Sequence, residues 1–442
     1  MLRMHGIQRK TAILLAGVCF VVLTGCGVAT KPAAQKPTVV TLWSWSPLSS
    51  TMTQMVKAIE KRHPNIEIKA SIEPHTAYFT ALKAGKASGT LPDLIGLSPG
   101  AVTQEYRTSL QPLNKVASQF WGSNWKSNFG PAIIQQARLG NPSGDNNYYM
   151  LPEESEVINI WYNRTIFDKL HLTPPKTLPE MISDAHALSA AGYIPFYQGA
   201  ATGLFDTWVY MQLAAQTDRS GLMAADVGQT TWTQPGMVKA AEVWQTLFTQ
   251  HVFQAGALGD LQYPTGANLF AAGRVGMMSL GSWWLQETKL PGPLPKGIDN
   301  MSGFGKFFFP AVISGGKPTP PLGGIDVGWG LTKNAASSPA VEKASETVLK
   351  DLISGPGEQM ALNTFNDLPA FLSMKPTVSM TPHMKGLFDA YMAELPHAYN
   401  HQIGNPVIET ALDSNLQALG AAKETPQQAM ANVQKVALKQ RK

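Results

Sequence analysis

The chain has 442 residues with 35 basic and 30 acidic side chains, a formal net charge of +5, and so weak a positive balance is no electrostatic footprint for nucleic acid. Only 15% of residues are charged, below the usual quarter, and acids are scarce, which suits an acidic medium. Two cysteines, Cys19 and Cys26, exclude a disulfide framework or a zinc cluster, so stability has to come from burial, for which the length allows two full-sized cores.

The chain opens on a basic segment (Arg3, Arg9, Lys10) followed by an uncharged apolar run from Thr11 to Leu23. That run is too short to span a bilayer comfortably as a permanent helix. It closes on Leu23-Thr24-Gly25-Cys26 and resembles the lipobox of a bacterial lipoprotein signal peptide. The resemblance implies that residues 1–25 are cut off as a signal peptide and that Cys26 carries a diacylglyceryl group. The protein would then sit on the outer face of a membrane or in a periplasm, tethered by lipid. At roughly 0.8 kcal/mol per buried CH₂, two or three acyl chains make such a tether durable. Residues 26–37, small, polar and proline-bearing, read as a flexible stalk.

Val39 to Trp43 is a β-rich run ended by Ser and Pro, the first expected strand. Met52, Met55, Val56 and Ile59 predict a helix over about 51–62, stopped by His63-Pro64-Asn65. Ile66 to Ala70 alternates as a second strand, a helix follows over about 77–87, and Leu94-Ile95 begins a third strand. This β-α-β-α-β order argues for a mainly parallel, doubly wound sheet. Ligands of such sheets sit beyond the carboxyl ends of the strands, where the loop Ser44-Trp45-Ser46-Pro47 lies. From about Ile158 to Leu285 the pattern is richer in helix (179–191, 207–216 and 235–250), with one strand-like stretch at Tyr193–Tyr197. Val327–Thr332 is a late strand, and Pro339–Leu352 a helix after a polar turn.

Catalytic patterns fail on their own chemistry. Gly96-Leu97-Ser98-Pro99-Gly100 fits the G-x-S-x-G string of serine hydrolases. The oxyanion hole of that elbow needs the backbone N–H after the serine, and Pro99 has none. His397 and His401, four apart, would share one face of a helix as metal ligands. Pro396 and Gly404-Asn405-Pro406 argue against a long helix there, and solvated loop histidines are expected. The Asn163-Arg164-Thr165 sequon is incidental, and no phosphate loop or dinucleotide fingerprint is present. The expectation is a protein without catalytic residues, metal or cofactor.

Several phrases stand in a telling order. They are the strand with Trp43, Glu60 to Ile68, Gly89 to Ile95, and Tyr149-Met150-Leu151-Pro152 running into Ile160-Trp161-Tyr162-Asn163. Pro174 to Thr177, Phe270 to Met278 with Gly281-Ser282-Trp283, and Gly324 to Asn334 follow. The ordered set resembles the extracellular sugar-binding proteins of ABC importers, in the branch that includes the maltose-binding protein. The resemblance spans nearly all of the chain after the leader. It implies an α/β, two-lobed periplasmic-binding-protein-like fold (type II), each lobe a mainly parallel sheet flanked by helices, with a hinged cleft between. Lobe 1 is expected at 38–152 plus 302–338, and lobe 2 at 153–301 plus 339–442. Crossings fall near 151–156, 302–310 and 337–343. The resemblance also implies a monomer that captures a carbohydrate and delivers it to permease subunits driven by a cytoplasmic ATPase; the aromatic-rich loops favour a di- or oligosaccharide over a monosaccharide.

Sugars present C–H faces and a rim of hydroxyls, so rings stack on the faces and planar polar groups pair with the rim. The resemblance places Trp283 where the family stacks a sugar ring, and Glu156 where the family has a sugar-binding glutamate at the hinge, with Glu154 beside it. Trp45 lies in the loop after the first strand. Phe205 and Trp208 fall near the aromatic cluster of the second lobe, although core packing is as good a reading of Trp208. Asp326 and Trp329 flank Gly328, and Asn366-Asp367 precede Leu368-Pro369 in a loop expected to face ligand. Trp284 is expected in the core or at the rim, and Asp93 to brace the Pro92 turn. Leu97 to Ala101 lacks the family's polar anchors, so maltose is not implied. A cleft dominated by acids or by Arg would favour a polyamine or a glycerol phosphate ester instead. A lipid-anchored adhesion or structural protein would show no ligand response.

Overall fold

The computed structural model describes residues 36–201, 203–287 and 301–441; the expected leader, Cys26 and most of the expected stalk lie outside them. The strands along the chain are β1 (Thr38–Ser44), β2 (Ile66–Ile72), β3 (Leu94–Leu97), β4 (Leu151–Pro152), β5 (Glu154–Asn163) and β6 (Ile194–Tyr197). After them come β7 (Val275–Gly281), β8 (Phe304–Phe307), β9 (Leu322–Ile325), β10 (Gly328–Leu331), β11 (Leu368–Pro369) and β12 (Tyr399–Asn400).

The first sheet runs β2-β1-β3-β10-β4. Its three leading strands are parallel, as their helical crossovers require, with Leu42 opposite both Ala70 and Leu94. The helix Ser49–Arg62 buries Met52, Met55 and Ile59, and His75–Ser88 buries Tyr78 and Leu82, each stripe at helical spacing. Asp93 braces the sheet: its carboxylate accepts from the Thr41 backbone N–H at 2.8 Å and from the Thr41 hydroxyl at 2.7 Å, joining β1 to the start of β3.

The second sheet is organised around β5, whose ten residues are almost wholly buried. β5 pairs antiparallel with β7 (Trp161 opposite Met278), β8, β9 and β11, while β6 runs parallel to β7 and β12 parallel to β9. A strand with partners along both edges and covered on both faces reads as a near-continuous apolar run, as Val157-Ile158-Asn159-Ile160-Trp161 does. Thus the middle of the chain supplies β5 and β7 in addition to the stretch at 193–197. Asn163 closes β5 by capping the next helix, its Oδ1 accepting from the Ile166 N–H at 3.0 Å.

Each sheet has its own apolar core, and the chain passes between them at three places. One lies between β4 and β5 and another between β9 and β10; the third is the stretch after Asn363 that carries β11. The boundaries differ from those expected. β8 and β9, expected in lobe 1 with 302–338, pair with β5 in the second sheet. The helix Pro339–Ser354, expected in lobe 2 with 339–442, buries Ala344, Val348, Leu349 and Leu352 in the first core, joined there by Ala361 of the helix Pro356–Asn363. Four-residue apolar strands carry no mark of which sheet edge they will meet, and one amphipathic stripe fits either core. Packing decides both.

Candidate functional site

A cavity of about 310 Å³ lies between the two lobes at the carboxyl ends of β1 and β2 and the end of β7. The first-lobe wall is built on the loop after β1 and on the start of the helix His75–Ser88. Trp45 stands there against His75, Tyr78 and Phe79, with ring centroids 5.9, 5.4 and 5.3 Å away. Across the cavity Phe205 and Trp208 project from the helix Leu204–Ala214, with Tyr263 and Trp283 beside them. Trp208 lies 5.8 Å from Trp283, and Phe205 lies 5.3 Å from Trp208. The walls meet where His75 comes within 6.1 Å of Phe205.

Trp283 reaches the cavity because β7 ends in Gly281. A Cβ on Gly281 would lie 1.8 Å from the Trp283 ring, so only glycine lets the indole fold back over the strand end. Its Nε1–H donates to the Tyr263 hydroxyl at 2.6 Å, which fixes the plane of the ring. Trp284, one residue on, turns the other way and packs on Phe270 and Phe304 in the second core.

The floor is polar and acidic. Glu156 and Asp326 line it, and with Asp367 they place one carboxylate oxygen each within 4.8 Å of the others. His401, fully buried, sets Nε2 2.6 Å from Glu156 Oε1. Ser282 donates its hydroxyl to Asp367, and Asn366 donates its amide to Glu154 and to Ser46 Oγ (3.3 Å) while accepting from Gln286. Burial pushes the carboxyls of Glu156, Asp326 and Asp367 well above the usual carboxylate range; Glu156 raises Asp326 further, and Asp326, Glu156 and Glu154 raise Asp367. Burial lowers the imidazoles of His75 and His401 to about 4, so both are neutral near pH 7.

Six of the ten residues singled out in the sequence line the cavity: Trp45, Glu156, Phe205, Trp208, Asp326 and Trp283. Asn366, Asp367 and Glu154 lie behind the floor and hold its polar groups. Trp329 does not reach the cavity: it is fully buried in the first core and donates its indole N–H to Glu153. β10 is an inner strand of the first sheet, between β3 and β4, and the face on which its tryptophan stands is covered by the first core. His401 is not a solvated loop histidine, whereas His397 is exposed. Sequence reasoning missed Tyr263, His75, Glu73, Asn268 and Gln286, which also line the cavity. His75 could have been found, since it starts the helix at the carboxyl end of β2, where ligands of such sheets sit. Nothing local marks Tyr263.

Residues 43–351 match the family described as bacterial extracellular solute-binding protein. The chain belongs to that family. A relative described as an ABC transporter extracellular-binding protein, from Pyrococcus horikoshii, is 28% identical over 211 residues, 42% of this chain and 45% of its own length. The multiple sugar-binding protein of Streptococcus mutans is 23% identical over 338 residues, 73% of each chain. In three dimensions the chain is similar to one solved in work on xylan utilization by Caldanaerobius polysaccharolyticus, with a TM-score of 0.74 at 20% identity, covering 90% of this chain and 99% of that one. That likeness shows the fold: a two-sheet α/β periplasmic-binding-protein architecture. Members of the family bind solutes and do not transform them.

Proposed function

We propose that this protein is a lipid-anchored receptor of an ABC importer that captures a neutral carbohydrate, a di- or oligosaccharide, between its lobes and hands it to the permease as a monomer. The observation that carries the reading is the lining: Trp45 and His75 on one wall, Phe205, Trp208, Tyr263 and Trp283 on the other, and hydroxyl, amide and carboxyl groups between. Rings on both walls suit the C–H faces of successive sugar rings, and the polar groups suit their hydroxyls. No Lys or Arg is among the described lining residues, which disfavours a phosphate ester. The sugar-binding description of the Streptococcus mutans relative points the same way.

Three carboxyls in the lining, Glu73, Glu156 and Asp326, support a second reading, a polyamine. Burial disfavours the charged form of Glu156 and Asp326, however, and so weakens their hold on a cation relative to their pairing with a hydroxyl. The test is tryptophan emission and melting temperature against mono- and oligosaccharides, polyamines and glycerol phosphate esters. A saturable response to a sugar with raised melting supports the reading. Response only to a polyamine overturns the ligand class, and no response at all would favour an adhesion or structural role.

Anchoring is tested apart from binding. Cys26→Ser is expected to leave the protein uncleaved or released from the membrane fraction, while the wild-type N-terminal peptide carries the mass of a diacylglyceryl cysteine. An unmodified Cys26 in membrane-bound protein would refute it.

A further inference from the structure

Few acidic residues occur in this chain, yet six carboxyls converge where the chain passes between lobes. Glu153, Glu154 and Glu156 come from the first crossing, Asp326 from the second and Asp367 from the third. Glu358 arrives from the helix Pro356–Asn363 of the first lobe. Electrostatic contact links the set: Asp326 acts on Glu153, Glu154 and Asp367, Glu156 acts on Asp326, and Glu358 faces Glu153 and Glu154. The other titratable groups facing it are His401, neutral and against Glu156, and Tyr391, which faces Asp367. Among the described residues no Lys or Arg forms an ion pair with any of the six.

The hydrogen bonds supplied do not suffice for six anions. Trp329 serves Glu153, Asn366 serves Glu154, Ser282 and the Leu368 backbone N–H serve one oxygen of Asp367, and His401 stands 2.6 Å from one oxygen of Glu156. One oxygen each of Glu153, Glu154, Glu156 and Asp367, and both oxygens of Glu358, are buried without a hydrogen-bond partner among the described residues. A buried carboxylate left so is costly, and adjacent like charges cannot all ionise. Two of the groups, Glu156 and Asp326, also form the floor of the cavity. Hydrogen bonds tie both lobes to the cluster. Asn366 spans from Glu154 to Ser46 in the first lobe, and Gln136, at the end of the helix Pro131–Gln136 that buries Ile133 in the first core, accepts from the Ile325 N–H at 2.6 Å. Gly324, at φ +142°, leaves room for that amide, which a Cβ would approach to 2.0 Å.

We propose that the crossing segments form a proton-binding site whose occupancy is coupled to cleft closure, so that the protein captures its ligand in acid and releases it as pH rises toward neutral. Opening admits water to Glu156 and Asp326 and separates Ser46 from Asn366, which relieves the cost of ionisation. The closed form therefore binds more protons than the open form. By linkage, acid favours closure, and ligand binding takes up protons reciprocally. The ligand arm of this proposal rests on the receptor reading above; the closure arm does not.

The experiment uses the full-length protein at pH 4.0, 5.5 and 7.0, at a temperature where circular dichroism shows it folded throughout. Affinity for the best sugar of the panel is expected to weaken at least tenfold from pH 4.0 to 7.0. Calorimetry in two buffers of different ionisation enthalpy is expected to show net proton uptake on binding. Glu358→Gln and Asp367→Asn together, neither of which lines the cavity, are expected to reduce both the pH dependence and the proton uptake. Constant affinity, or binding without proton uptake at every pH, overturns the proposal. Recovery of affinity at pH 7.0 on adding calcium alone would make the cluster a cation site and also overturn it. If no sugar binds at any pH, the ligand reading fails. Small-angle scattering of the unliganded protein then decides the closure arm: expansion with rising pH supports it, and an unchanged radius of gyration sinks it.

Discussion

Trp283→Ala is expected to weaken ligand binding by roughly 30- to 100-fold, the two or more kcal/mol typical of a central aromatic anchor. The ring is placed by three separate contacts: the bare backbone of Gly281 beneath it, the Tyr263 hydroxyl at its N–H, and Trp208 at 5.8 Å. Truncation opens the second-lobe wall and leaves Tyr263 without its indole partner, yet it removes a side chain from the edge of a cavity rather than from the centre of a core. The neighbour supplies the contrast. Trp284 packs between Phe270 and Phe304, so Trp284→Ala is expected to cost about 3–5 kcal/mol of stability. Paired measurements of affinity and urea midpoint on the two variants should show ligand loss with the fold kept for one, and fold loss for the other. Unchanged affinity in Trp283→Ala would remove the cleft reading at its strongest point.

Between pH 4 and pH 8 the melting temperature is expected to fall by roughly 10 °C or more. Burial raises Glu153 and Glu409 from an ordinary 4.5 to about 8, and raises Asp226 and Asp413 from 3.8 to about 6. Glu154, Glu156, Asp206, Asp326, Glu358 and Asp367 are pushed well upward for the same first reason. Above about pH 4 the unfolded chain loses these protons while the folded chain keeps them. The folded state then binds more protons, so its stability is full in acid and declines as pH rises. His75 and His401, held down to about 4 by burial, act in the opposite sense between pH 4 and 6.5. Two imidazoles do not offset so many acids. At about 1.4 kcal/mol per pKa unit, Glu153 alone accounts for something on the order of 4 kcal/mol by pH 8, a large part of a usual domain stability. At about 2–4 °C per kcal/mol the stated fall follows. Differential scanning calorimetry across the range checks it, and a flat or rising melting temperature contradicts it.

How much of this was legible from the residues depends on the kind of information each feature needs. Periodicity marked the strands and helices of the first half, because one apolar stripe every 3.6 or 2 residues is a property of a single segment. The rule that ligands collect beyond the carboxyl ends of strands drew attention to Trp45, and an aromatic after a glycine at the end of β7 did the same for Trp283. Composition showed that acids are few. Where those acids go was not legible, since Glu153, Asp326, Glu358 and Asp367 are far apart in the chain and meet only when all three crossings pack together.

Trp329 and Tyr263 mark the same limit. The one, beside a glycine on a late strand, has the local look of a cleft residue and lies in the core; the other has no local mark and lines the cavity. The sequence by itself therefore determined the order and type of most elements, the family, and the loops where a ligand would sit. Only the tertiary structure decided which sheet β8 and β9 joined, which core took the helix Pro339–Ser354, and that the three crossings would gather acids. A segment's own pattern states which of its faces is apolar, but what covers that face is settled by every other segment packed at once.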